Sequence, residues 1–586
     1  LPREETLKNE TLTPSANAMQ SLCQALFSDI QRLRPSDFLK VDLQYLLRRF
    51  SAEGPKFGLI TLPLLGKAIE LALIREEPLQ VPQGWRLTKD SRLPQFLNHL
   101  FKRVFEENGL PRSIETIDVK ACLLLRQLTL LFSKIEGGLE ESEVIHSVEE
   151  FRLRTLKRKN ILSSPELILA REILRRFFEV DHPCIRELHE FKLNPWGRHG
   201  PGAVSDKSSP SKKWDFSLWP GLPLNLFRFN KDLCVEIKNL YTQQPYARVT
   251  CVPKDFRGPR VICIEPKENQ FAQQGLMDIL YRLLPSHPLT RNSICFESTS
   301  INEKFCFNSD IGTIDLKDAS DNLSLELSRL LLPKWFFSLV TRYRTRTVRG
   351  NGQMWVPHCL ATMGNACCFP LETLIFWAIA QSTIVLFREK DKSIPFNSLR
   401  VYGDDIILPK KVGPRLIEVL EGCGLIVNLN KTCLKTLVKE SCGEWVVAGE
   451  SQRLIKIKSA DVRSIRSWIQ FRQYSLAALK LGLFNLAYSM RHQVLNFIKP
   501  SFIKERWNKY LQKLEWRQPV FARTGRREKL SGPESLYATQ VRNDTAPFLN
   551  GTFEKVKLRW LDTNPYEDYH YEILREKYLM ERNGTS

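Results

Sequence analysis

Apolar residues recur at helical spacing through the first third of the chain. Leu43, Leu46, Leu47 and Phe50 make one stripe, and Leu123, Leu124, Leu128 and Leu131 another, with polar residues between them. This pattern predicts helices over residues 1 to about 190. In Ser164-Pro165-Glu166 a hydroxyl able to cap a helix precedes a proline suited to its first turn, so a further helix is expected to start there. From Trp196 to Pro223 the chain turns rich in Gly, Pro, Ser and Lys, as a loop or boundary does. Residues 224 to about 450 mix short strands with helices. Beyond 450 helices dominate again and run into a polar tail.

The pattern is sharpest at Leu399 to Leu408. There two runs of apolar and β-prone residues flank Gly403-Asp404, which predicts a tight hairpin. Asp404 and Asp405 put two adjacent carboxylates at its tip. They repel each other, and a divalent cation is the usual remedy. About ninety residues earlier, Ile311-Gly312-Thr313-Ile314 is a second β-prone run that ends on Asp315. If the two strands are neighbours, three carboxylates converge. Such a set can hold two divalent ions roughly 4 Å apart, one activating an attacking hydroxyl and the other stabilising a leaving pyrophosphate.

Three more segments bear on phosphate and sugar chemistry. Val252 to Ile262 reads as two strands around a basic turn, with Lys254, Arg257 and Arg260 spaced to meet one triphosphate. Thr362-Met363-Gly364-Asn365 is a polar loop before a helix whose Leu371, Leu374, Ile375, Ala378 and Ile379 are expected in the core. That loop is either an ordinary helix entry or a polar loop against a nucleotide sugar, in which Asn365 hydrogen-bonds Asp321 and the two read a 2′-hydroxyl. Downstream, a helix over Pro414 to Leu420 stops at Gly422 and Gly424. A strand Leu425 to Val427 comes next, then Asn428-Leu429-Asn430-Lys431-Thr432, where Lys431 is a candidate general acid.

Composition narrows the class. A chain of 586 residues exceeds one ordinary core, so two to four packed units are expected. Its net charge of +21 favours a polyanionic partner, nucleic acid ahead of a membrane surface. The cluster Arg152, Arg154, Lys157, Arg158 and Lys159 is either a solvated helix face or a phosphate-contacting one. Lys499 to Lys529 interleaves cations with Phe502, Trp507, Tyr510, Trp516 and Phe521. It suits a nucleic-acid backbone with stacked bases, or equally an amphipathic helix with snorkelling cations. The start of the chain shows no secretory h-region, and the most apolar runs, Ala121 to Leu125 and Leu374 to Ala380, are too short to span a bilayer. The 14 cysteines are scattered without CxxC pairs, which suits reduced, buried thiols. An intracellular protein without a membrane span is expected.

In order, the basic loop, Asp315 with Asp321, Met363-Gly364-Asn365, Gly403-Asp404-Asp405 and Asn428 to Thr432 resemble motifs F, A, B, C and D of viral RNA-dependent RNA polymerases. More narrowly they resemble the replicases of leviviruses and their narnavirus and botourmiavirus relatives. Glu440-Ser441-Cys442-Gly443 looks like that group's motif E. Ile264-Glu265-Pro266 with Asn269 is similar to the segment just after its motif F, and His199-Gly200-Pro201-Gly202 resembles an upstream glycine-proline motif. The resemblance covers roughly residues 198 to 450. Two departures stand out: Ala366 replaces a usual glycine and Pro370 a usual glutamate.

The resemblance implies an α+β right-hand polymerase with an antiparallel palm sheet. Residues 1–195 would be an N-terminal helical region and 196–300 fingers with motif F. The palm would be 301–450, and 451–586 a helical thumb and tail. It implies Asp315, Asp404 and Asp405 as ligands of two Mg2+ ions, with Mn2+ a substitute. Lys254, Arg257 and Arg260 would hold the triphosphate, Asp321 and Asn365 would select ribose, Lys431 would be the acid, and Gly364 and Gly403 would serve the loops. The implied partners are a single-stranded RNA template, its duplex product and ribonucleoside triphosphates, and host translation factors are a further candidate. The implied setting is a host cell's cytoplasm, copying a positive-sense genome without a primer. A reverse transcriptase shares the carboxylates, but the polar Asp321 is unlike an apolar gate against the 2′-hydroxyl. A non-catalytic RNA-binding derivative would not need all three acids.

Overall fold

A computed structural model describes residues 15–497 apart from 136, 138–139, 210, 215–245, 256–257, 436 and 464. Arg257 and the stretch Lys499 to Lys529 lie outside the described residues. Among the described residues the fold is α+β, with long helices around three small sheets. The strands are β1 (Tyr246–Asp255), β2 (Gly258–Ile264), β3 (Ile311–Ile314), β4 (Thr347–Gly350), β5 (Gln353–Trp355), β6 (Arg400–Tyr402), β7 (Asp405–Pro409), β8 (Val438–Ser441), β9 (Glu444–Val447) and β10 (Glu450–Ser451). Their orders are β2-β1-β4-β5, β3-β7-β6 and β10-β9-β8. All neighbours are antiparallel except β1 and β4, which run parallel.

Helix starts obey local chemistry. Ser164 Oγ accepts the Leu167 N–H at 3.3 Å and Pro165 opens the helix Pro165–Glu179, as its sequence predicts. In Leu39–Glu53, Leu46 and Phe50 are buried and Leu43 and Leu47 pack beside them. The second stripe is wider than its spacing implies. Val119–Leu130 is buried on every side from Ala121 to Leu130, and its polar residues find partners rather than water. Arg126 donates to Glu70 at 2.9 Å, while Gln127 exchanges two 2.9 Å bonds with the backbone of Ile455. The helix Cys368–Lys390 is likewise apolar all round, with Leu374 to Ala380 essentially inaccessible.

That helix and Phe57–Arg75 are each long and apolar enough to cross a membrane, which the short apolar runs alone did not suggest; both are largely buried inside the protein. The cysteines among the described residues are unpaired and mostly buried. The expected strand Leu425 to Val427 does not form. This segment is tied down by one bridge, Leu316 to Val427, and by the Lys317 N–H donating to Ile426 O at 2.8 Å.

Three cores result. One joins the helices between Met19 and Ile135 to the segment from Cys433 to Val494. The second packs Leu167 to Phe191 with Ala272 to Val427 around the Cys368–Lys390 helix. A small third core seats Val148 and Phe151 of the helix Glu141–Leu156 on the β1-β2-β4-β5 sheet.

Candidate active site

β6 and β7 form the expected hairpin, with Tyr402 paired to Asp405 across Gly403-Asp404. Gly403 has φ +63°, whereas Asp404 keeps a negative φ. Positive φ at the first central position alone is what a type II′ turn requires. The Gly403 N–H donates to Thr373 Oγ1 at 3.0 Å, and Phe369 packs edge-on to Tyr402 at 4.9 Å, so the Cys368–Lys390 helix fixes the tip. A Cβ on Gly403 would lie 2.3 Å from the Phe369 ring. Gly403→Ala is therefore expected to lower stability by about 1–3 kcal/mol through positive-φ strain and overpacking. A thermal melt indistinguishable from wild type contradicts this account of the turn.

Asp315 comes directly after β3, as its sequence predicts. β3 pairs with β7 in the register Ile314 to Ile406, and one step further sets Asp315 opposite Asp405. Opposed residues of an antiparallel pair are roughly 5 Å apart and share a face. The three carboxylates feel one another. Burial, then the charges of Asp405 and Asp315, push Asp404 up to about 6. Burial and Asp315 also raise Asp405, although its Oδ2 accepts the Cys442 N–H at 2.9 Å.

Lys431 arrives by the turn after Val427. The Asn428 N–H donates to Asp315 O, and Thr313 and Cys433 exchange backbone bonds, which wraps this turn around the strand exit. Asn428 Nδ2 then reaches Asp315 Oδ2 at 2.6 Å and Lys431 Nζ reaches Oδ1 at 3.0 Å. Burial opposes charge on Lys431, but Asp315, Glu440 and Asp405 outweigh it and hold its pKa above the ordinary value. Among the described residues no three Asp, Glu, His or Cys side chains form a ready-made metal cage. An ammonium and an amide sit on the oxygens of Asp315 instead. The donor set itself, one buried and two half-buried carboxylates whose charges repel, suits a hard divalent cation.

Asp321 and Asn365 are each held by other partners. Asp321 Oδ2 accepts Arg154 Nη2 at 2.8 Å and Nε at 3.2 Å. Asn365 Nδ2 donates to Glu265 Oε1 at 3.4 Å, and its Oδ1 accepts the Cys367 N–H at 2.9 Å. The hydrogen bond expected between the two is not made. Glu265, buried and raised by that burial, also takes the Thr345 hydroxyl, so it anchors the Asn365 loop. Gly364, at φ +117°, lets this loop lie on β2: a Cβ would sit 2.1 Å from Cys263 O. The Cys263 N–H donates to Met363 O at 2.7 Å. Ala366 avoids the left-handed region, so the departure from glycine costs no strain there. Pro370 fits the first turn of its helix.

Lys254 and Arg260 stand exposed on the β1–β2 hairpin, with Lys254 inside the bulge between Pro253 and Asp255. Two carboxyls that the sequence reading gave no chemical role lie near these acids. Burial and the charges of Asp404 and Asp321 raise Glu372 well above its ordinary value. Burial and Asp405 push Glu440 up to about 7. Only packing reveals either.

Residues 221–461 match the family model described as RNA replicase, beta-chain. This central region is levivirus-replicase-like. The RNA-directed RNA polymerase beta chain of Escherichia phage MS2 is 33% identical over 214 residues, 36% of this chain and 37% of that one. The RNA-directed RNA polymerase subunit beta of Qbeta virus (strain MX1) is 35% identical over 208 residues, 35% of this chain and 34% of that one. The chain thus matches little more than a third of the length of these relatives. A crystal structure of the RNA-dependent RNA polymerase of a human picorbirnavirus superposes with TM-score 0.40 at 11% identity. It covers 63% of this chain and 76% of that one, a loose likeness.

Proposed function

We propose that this levivirus-like replicase is an RNA-directed RNA polymerase that copies a positive-sense, single-stranded viral RNA genome in the cytoplasm of an infected host cell, starting without a primer. The observation that carries the reading is the approach of Asp315, at the exit of β3, to Asp404 and Asp405 at the tip of the β6–β7 hairpin, with the charge on Asp404 held at a cost. The replicase match over residues 221–461 contains every one of these acids. In this reading residues 301–450 are the palm, 196–300 the fingers and 451–586 the thumb and tail, with 1–195 a helical region beside them.

Asp315, Asp404 and Asp405 would hold two divalent ions, Mg2+ or in substitution Mn2+. When bound, the ions supply activation of the 3′-hydroxyl and stabilisation of the leaving pyrophosphate. The chain's own side chains do the rest. Lys254, Arg257 and Arg260 bind the triphosphate through charge-assisted hydrogen bonds. Asp321 and Asn365 read the ribose 2′-hydroxyl from two separately anchored positions. Lys431 keeps a proton beside Asp315 and donates it to pyrophosphate as the bond to the α-phosphate breaks. Catalysis is then mostly positioning and charge stabilisation. Template strand, duplex product and ribonucleoside triphosphates are the partners, and host translation factors are a candidate addition.

The test is purified protein with a single-stranded RNA template, four ribonucleotides and Mg2+, without primer or host factor. Full-length complementary RNA that disappears on chelation is the expected result. Extension of deoxyribonucleotides in place of ribonucleotides points to a reverse transcriptase, and RNA binding with no synthesis under any metal points to a non-catalytic RNA-binding protein.

A further inference from the structure

The helix Glu141–Leu156 lies outside the segment that matches the replicase family, yet its last turn reaches the ribose-reading residue. Arg154 grips the turn that carries Asp321 at two points. Its Nη1 is 3.3 Å from Asp318 Oδ2, while Nη2 and Nε both point to Asp321 Oδ2. That turn needs a grip. Asp318 is a non-glycine residue at φ +49°, and its carbonyl takes the N–H groups of Asp321 and Asn322. Close by, Lys159 Nζ donates to Asn322 Oδ1 at 2.6 Å.

The grip is one-sided. Both strong bonds from Arg154 fall on Oδ2, and Oδ1 receives only the Ser320 hydroxyl at 3.3 Å. Building on the polymerase reading, we propose that Arg154 is a positioning residue for ribose selection. It fixes Oδ2 of Asp321 so that Oδ1 is presented to the 2′-hydroxyl of an incoming ribonucleotide. The charge balance agrees: burial works against an ionised Asp321, and Arg154 is the largest influence in the other direction. An ionised oxygen accepts a hydroxyl hydrogen more strongly than a neutral carboxyl does. The arginine fork matters too, because a lysine ammonium has one nitrogen and cannot converge two N–H groups on Asp321 Oδ2 while a third meets Asp318.

This helix has a second attachment. Val148 and Phe151 pack on the sheet that bears Lys254 and Arg260. The Thr155 carbonyl accepts the His358 N–H, and its hydroxyl accepts Trp355 Nε1 at 3.1 Å. One helix therefore sets the ribose reader against the hairpin of triphosphate-binding cations, and Arg154 is its contact with the reader.

The test compares Arg154→Ala, Arg154→Lys and, as a control for docking alone, Lys159→Ala. The readout is the ratio of kcat/KM for a ribonucleotide over its deoxyribonucleotide on one RNA template. Arg154→Ala should lower the ratio at least about tenfold, mainly through a higher KM for the ribonucleotide, since an acceptor no longer fixed or kept ionised bonds less well to the 2′-hydroxyl by which the site discriminates. Arg154→Lys should recover part of the loss, and Lys159→Ala should keep the wild-type ratio. An unchanged ratio in Arg154→Ala, or an equal fall in Lys159→Ala, overturns the proposal. Calorimetric binding of GTP against dGTP to each folded variant reads the same preference without turnover. A wild type that makes no RNA thus defeats the polymerase reading alone, and the binding ratio still decides the role of Arg154.

Discussion

Asp404→Asn should abolish nucleotide incorporation, by a factor on the order of 10³ or more, while affinity for RNA is unchanged. The substitution keeps the shape of the side chain and removes its charge. In the resting protein that charge is a burden, because burial and the neighbours Asp405 and Asp315 raise Asp404 to about 6. Neutralising it should leave the melting temperature equal or slightly higher, since a repulsion is relieved. The combination of lost synthesis, retained RNA binding and an undiminished melt distinguishes a ligand for a cation from a structural acid. Normal incorporation by the variant would sink the assignment of Asp315, Asp404 and Asp405. A lower melting temperature would instead make Asp404 a contributor to the hairpin's stability.

The second large effect concerns stability. Arg126 and Glu70 form an ion pair whose side chains are 1% and 6% exposed. Arg126 also donates to Gln452 O at 3.1 Å and lies 3.8 Å over the Trp445 ring. Arg126→Met would leave Glu70 a buried carboxylate with Lys67 as its remaining bonded partner. The expected loss is about 3 kcal/mol, the low end for breaking a buried pair, because Lys67 compensates in part. Urea unfolding measures it, and a loss under about 1 kcal/mol contradicts the role given to the pair. Adding Glu70→Gln should recover some of the loss, since the carboxylate stranded by the loss of Arg126 is then gone.

Acid gives an independent check. Burial alone would raise Glu70, but Arg126, Lys67 and Lys456 outweigh it and hold it near 2, below its ordinary 4.5. A depressed carboxylate stabilises the fold fully above the ordinary value and loses that contribution as pH falls from about 4.5 towards 2. The wild type should therefore lose stability across this window with a steeper slope than Arg126→Met.

Short-range chemistry made much of this site legible. The hairpin at Gly403-Asp404 is set by a glycine and β-prone flanks, and Asp315 by the run of Ile311 to Ile314 that it terminates. The cap at Ser164 is equally local. The features that escaped depend on distant packing. Spacing of leucines could not tell that Val119–Leu130 is covered on every side, because its polar residues meet partners more than fifty positions away. Asn365 bonds Glu265 and Asp321 bonds Arg154, 100 and 167 residues off. The basic cluster at residues 152–159 left two readings open. In the fold it divides, with Arg152 paired to Glu149 on its own helix while Arg154 and Lys159 reach the Asp318–Asn322 turn.

The shared core between Met19–Ile135 and Cys433–Val494 has a consequence for synthesis. The two stretches that build it are separated by some three hundred residues, so the N-terminal helices leave the ribosome long before their packing partners exist. Until Val494 has emerged, their apolar faces have no complete counterpart, and the intervening sheets are held at one end only. Folding of this shared core is then closed by the helices Ile465–Lys480 and Phe484–Phe497, like a clasp. Fragments divided between residues 135 and 433 can regain the native state only by association, at a rate that depends on their concentration.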